Sequence, residues 1–185
     1  PDVIGYLSFS KGDLFDFDAK SSSQSFATPR SWTFVSEMLA ADGFDNADAF
    51  EQKAEIAGAI GEGMAIKFVE HRKIASKLPN PDQIIAGEVK KLDTKLSKEI
   101  SAKYSLVVGL AYELNEMFKD SGIDDKFRKA LNHVVKFSYD NFEPEMVVFL
   151  FKTIMKDYQI RFNVRTDRDK ELHKTFSERY TKYIA

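Results

Sequence analysis

The chain has 185 residues and no cysteine, which removes disulfides, thiolate zinc sites and thiol catalysis together. It has no run of about 18 apolar residues, so no membrane-spanning helix is expected. No stretch reads as a signal peptide. The formal net charge is only −2, so bulk electrostatics recruits neither nucleic acid nor an anionic membrane. The sequence lacks G-x-x-x-x-G-K-[ST], and no apolar strand ending in paired acids is present, so nothing in it cradles a triphosphate or holds magnesium. G-x-S-x-G is absent too, and with it the common serine-nucleophile signature. His71, His133 and His173 are far apart and lack H-x-x-x-H spacing, so they read as surface or satisfied structural side chains.

What is abundant is phenylalanine. Sixteen of them imply a substantial aromatic core, or a face that a partner covers. The pattern predicts an all-α fold of about seven helices in two packed layers or bundles, and no internal repeat or long linker is visible. Val3 to Phe9 is too short to decide between strand and helix. Asp13, Asp16 and Asp18 suggest calcium, but neither the glycine nor the distal glutamate of an EF-hand falls in place, which leaves a solvated acidic loop. Ser21-Ser22-Ser23-Gln24 reads as a flexible linker.

The most specific stretch follows. In Ala27-Thr28-Pro29-Arg30-Ser31-Trp32, Thr28 suits an N-cap and Pro29 the first helical position, where its missing N–H costs nothing. Trp32, Val35 and Leu39 then recur at helical spacing. Arg30 is thereby placed in a rigid first turn beside free backbone donors, a position suited to reaching a phosphate, though a plain solvated arginine fits the same place. This helix is expected to stop near Asp42-Gly43. The next should begin around Asp45 or Asn46, with Phe50, Ala54 and Ala57 as its buried stripe. Gly58, Gly61 and Gly63 interrupt it, and a helix resumes through Ala65, Phe68 and Ile74. Asn80 and Pro81 open a short helix.

In residues 88–103 five lysines alternate with acids, which reads as a solvated helix face. From Ile100 the helical pattern is strong as far as Phe118, and a further helix carries Phe127, Leu131 and Val134. Asn141-Phe142-Glu143-Pro144 opens the most apolar segment, Met146 to Met155, which is expected to be the central helix of the second half. Arg161, Arg165 and Arg168 cluster with Phe162 in a loop, more simply a solvated or intersubunit face than a nucleic-acid contact, and a last amphipathic helix runs from about Asp167 through Tyr180.

The Ala-Thr-Pro-Arg-Ser-Trp run resembles the sensor-2 helix of MoxR-like AAA+ ATPases, in a branch found in bacteria and phages. The segments 1–7 and 14–18 upstream, and Gly61 to Phe68 and Leu78 to Asp82 downstream, are similar to the same branch, so the resemblance covers about the first half. It implies an AAA+ lid over 1–78 and a C-terminal helical extension over 79–185, the two bundles packed together. Arg30 would sense nucleotide, with Thr28, Pro29 and Trp32 in support. The ATPase core is missing, so the chain reads as an excised C-terminal piece that is not itself an enzyme. ATP and magnesium would belong to the parent, with none bound tightly by this piece and no metal site in it. The implied partners are the missing core and neighbouring subunits, usually in a hexamer with a chaperone-like role in the cytoplasm. The rival expectation is a freestanding helical protein- or nucleic-acid-interaction module that uses no nucleotide.

Overall fold

The computed structural model describes residues 2–18 and 24–161, with Lys174 and Glu178 as isolated positions. The serine linker at 21–23, the loop residues Phe162, Arg165 and Arg168, His173 and the expected last helix lie outside the described residues. Among those described there are eight α-helices and no strand, as the periodicity predicts. None of these helices is long and apolar enough to cross a membrane. The chain divides into two compact units between Lys77 and Leu78.

The first unit holds α1 (Asp2–Phe9), α2 (Pro29–Ala40), α3 (Ala49–Ile60) and α4 (Glu62–Ala75). Its core is built on aromatic rings. Tyr6 of α1, Trp32 of α2 and Phe68 of α4 meet pairwise with centroids 5.3–5.6 Å apart, two of the three pairs edge-on. That is the favoured geometry for aromatic quadrupoles. Val35, Ile56, Ile60 and Met64 close the cluster. Gly61 turns the corner between α3 and α4 at φ 86°, a conformation open to glycine and costly for other residues.

The first unit corrects three expectations. The helix α2 ends at Ala40, and Gly43, at φ 97°, instead precedes a 3₁₀ turn over Phe44–Asn46. Asp48, not Asp45, caps α3: its carboxylate accepts from the N–H groups of Phe50 and Glu51 at 2.8 Å each, so the helix begins three residues later than expected. Of the stripe expected for α3, Ala57 does pack against the core, but the rest differs. Ile56 and Ile60 face inward while Phe50 is 80% exposed and Ala54 is exposed as well. The inward face lies about one helical position away from the stripe that Phe50 suggests.

The second unit holds α5 (Pro81–Ala86), α6 (Ile100–Ser121), α7 (Asp125–Asn141) and α8 (Pro144–Lys152), the last running on into a single wide turn over Thr153–Asp157. The central helix is α6 rather than α8. With 22 residues α6 is about 33 Å long, enough to run past α5, α7, α8 and the wide turn, all of which pack on it. The nine residues of α8 are apolar on nearly all sides, and they pack against α6 and α7.

The lysine-rich segment before α6 is largely irregular, with one 3₁₀ turn over Leu96–Lys98. Asn141 at the end of α7 pins it, accepting from the Leu92 N–H at 2.8 Å and donating to the Lys90 carbonyl at 3.0 Å. Lys103 departs from the solvated-face expectation. Its side chain is 2% exposed, and its ammonium meets the Glu143 carboxylate at 2.6 Å. The long apolar stem of lysine makes such burial tolerable once the charged head has a partner.

Candidate functional site

Local bonding fixes the start of α2 firmly. Thr28 is extended, and its hydroxyl accepts from the Ser31 N–H at 3.0 Å. In return the Thr28 N–H donates to the Ser31 hydroxyl at 2.8 Å. This reciprocal pair is a capping box with serine in the place usually held by glutamate or glutamine. The Ser31 hydroxyl in turn donates to the Phe26 carbonyl at 3.1 Å, so the chain leading into the helix is tied to its first turn. Pro29 holds the first helical position with its φ preset.

Arg30 stands on this turn, exposed, and Trp32 two residues on is 2% exposed. Two residues span about 200° of helix, which is why one side chain faces outward while the other enters the core. The Trp32 indole N–H donates to the Asp13 carbonyl at 2.9 Å, anchoring α2 to the turn after α1. The Arg30 guanidinium lies 5.7 Å from the centre of the Phe34 ring, one turn along. It has no carboxylate partner among the described residues. The four sequence-predicted residues therefore share one turn: Thr28 and Pro29 shape it, Trp32 roots it, and Arg30 projects from it.

Asp13 is the residue that sequence reasoning misplaced. In place of a solvated loop acid it is a junction. Its carboxylate accepts from the Tyr6 hydroxyl and from Lys67 at 3.3 Å, and its carbonyl accepts from Trp32. Burial, and then the bond to Asp13, push the Tyr6 hydroxyl well above its ordinary pKa. His71 packs edge-on to Tyr6 at 5.2 Å, and burial lowers its pKa. Asp16 and Asp18 are exposed, and no group of three or more histidine, aspartate or glutamate side chains is placed to hold a metal among the described residues.

Beside the α2 start lies a cleft of about 600 Å³ that sequence reasoning missed. Ile60 and Met64 contribute buried apolar side chains, Phe17 and Phe26 an exposed aromatic pair, and Asp16 and Glu62 an acidic rim. Its signal in the sequence is faint: the two phenylalanines sit outside any helical period, and Gly61-Glu62-Gly63 marks only a corner. Comparison with protein-family models, with curated proteins and with solved structures gives no match. What Arg30 and the cleft do must therefore be read from their surroundings.

Proposed function

We propose that the first unit is a nucleotide-sensing lid of a MoxR-like AAA+ ATPase, and that the second unit is its helical extension. Arg30 is the sensing residue. The observation that carries this reading is the state of Arg30: a guanidinium on a doubly capped first turn, exposed and without a carboxylate partner among the described residues. A held, unneutralised, planar donor is what a phosphate oxygen requires.

The chain's own contribution is that one guanidinium. The Gly61-Glu62-Gly63 corner lacks a following lysine and hydroxyl, and the adjacent cleft is acid-rimmed, so the described residues do not fit ATP or magnesium by themselves. Both ligands belong to a core that this reading joins to the chain. Covering by that core and by neighbouring subunits of a cytoplasmic hexamer also accounts for Phe15, Phe34 and Phe50, which stand 46–80% exposed on the first unit. Lid motion would then pass to a client protein that is remodelled.

The same exposed aromatics favour a second reading, a helical interaction module that uses no nucleotide. Two measurements separate them. Calorimetry with MgATP and a phosphate-release assay on the chain alone should show neither tight binding nor turnover. The chain joined to its core should hydrolyse ATP in a manner that depends on Arg30. Clear turnover by the chain alone would overturn the lid reading, and the absence of any ATPase activity from the joined protein would leave the interaction module.

A further inference from the structure

Among the described residues lining the cleft of the first unit, Asp16 and Glu62 carry exposed carboxylates, against the ammonium of Lys67. Lys67 is moreover engaged with Asp13 at 3.3 Å. The cleft therefore disfavours phosphate and favours a cation. Its wall has the second element that a cation seeks. The rings of Phe17 and Phe26 lie 4.9 Å apart, tilted by 57°, and stand outside the apolar core at 55% and 38% exposure. An aromatic face beside carboxylates suits a guanidinium on an alkyl stem, which stacks on the ring and bonds to the acids. Ile60 and Met64, nearly fully buried, offer apolar contact to that stem or to a neighbouring aliphatic side chain. A volume of about 600 Å³ suits one or two side chains rather than a folded surface.

We propose that this cleft is a docking site for an arginine-bearing, otherwise aliphatic peptide segment of a partner protein. The site is separate from Arg30 in chemistry and does not depend on what Arg30 contacts. Arg30 offers positive charge to an anion, and the cleft offers negative charge and ring faces to a cation.

Gly63 supplies a direct test. It lines the cleft in the first turn of α4, and a Cβ placed on it meets nothing within 4 Å. Gly63→Leu therefore meets no clash at its Cβ, adds a bulky side chain at the cleft wall, and should not lower the melting temperature, because the glycine lies in a helix. The probe is a short fluorescein-labelled peptide of alternating arginine and leucine, titrated into the full chain by fluorescence anisotropy. Two control peptides carry citrulline or glutamate in place of arginine. The arginine peptide should bind, the citrulline peptide should bind at least about fivefold more weakly, and the glutamate peptide should not bind. Gly63→Leu should abolish the arginine signal. Asp16→Asn with Glu62→Gln, at exposed positions and with side chains of nearly the same size, should weaken it by about three- to tenfold. Inorganic tripolyphosphate should not compete. Equal binding of arginine and citrulline peptides, binding unaffected by both variants, competition by tripolyphosphate, or no binding by any peptide would each overturn the proposal.

Discussion

The indole N–H of Trp32 donates to the carbonyl of Asp13 at 2.9 Å, and the Asp13 carboxylate accepts from Tyr6 and Lys67. A residue from the first turn of α2 is thus tied through one aspartate to α1 and α4. The orientation of the Arg30 turn depends on this junction. Trp32→Ala should remove both the ring packing and the bond, lowering stability by roughly 3–5 kcal/mol. Trp32→Phe should keep much of the packing and cost less. Denaturant titrations of the two variants check the order, and equal losses would contradict it.

His71 makes stability depend on pH. Burial lowers its pKa in the folded state, while the charge of Asp2 acts in the opposite sense and more weakly. The folded chain therefore binds the His71 proton less readily than the unfolded chain. The stability that His71 contributes is full above the unfolded value of about 6.5 and is lost as pH falls through the folded one. His71→Gln should flatten the stability profile between pH 7 and the onset of carboxylate titration. Urea midpoints measured across that range test the sign, and a wild-type midpoint that rises on acidification would contradict it.

In the second unit, Lys103 is buried and Glu143 is 48% exposed. Removing the two charges should therefore have unequal effects. Glu143→Gln leaves a buried ammonium without its carboxylate and should be the more harmful change. Lys103→Met keeps the stem's volume and frees the carboxylate to water, so it should be nearly neutral. Melting temperatures of both variants and of the double variant decide this. A Lys103→Met loss larger than that of Glu143→Gln would show the pair to be net stabilising.

Gly87 sits at φ 82°, and a Cβ placed on it falls 2.6 Å from the His133 ring, which in turn bonds to the Ile85 carbonyl at 2.8 Å. Gly87→Ala should combine backbone strain with displacement of that ring, costing about 1–3 kcal/mol. Adding His133→Ala should recover only the steric part. Full recovery in the double variant would rule out the backbone contribution.

Which parts of this architecture were legible follows from the range of the signals. Caps are local, so Thr28-Pro29 and Asn80-Pro81 mark helix starts where the structure has them, and Pro144 marks the start of α8 by its place at the first helical position. Faces and partners are not local. Phe50 is the bulkiest residue of α3 and draws the stripe to itself, yet Ile56 and Ile60 meet Trp32's cluster and set the inward side. Lys103 belongs to a lysine-rich run and looks solvated, because its carboxylate comes 40 residues later. Asp13 reads as a loop acid because its three donors lie on three different helices. The Arg30 turn was legible because one short stretch contains its cap, its proline and its anchor. The cleft was not, because it is assembled from residues 16–18 and 25–26 on one side and 60–64 with Lys67 on the other.

On the proposed lid reading, Arg30 faces a phosphate once the chain is joined to an ATPase core. Its contact with Phe34 is exposed, so Arg30→Ala should change the melting temperature little, by the loss of about 0.5–1 kcal/mol at most. The direct measurement is the steady-state ATPase rate of the joined protein with Arg30→Ala and Arg30→Lys, beside the melting temperature of each. Losing a preorganised donor of this kind should lower turnover by about 10²–10³-fold. Lysine should restore little, since it cannot present the planar, two-pronged contact. Full turnover in Arg30→Ala at an unchanged melting temperature would contradict the claim and leave Arg30 a solvated surface residue.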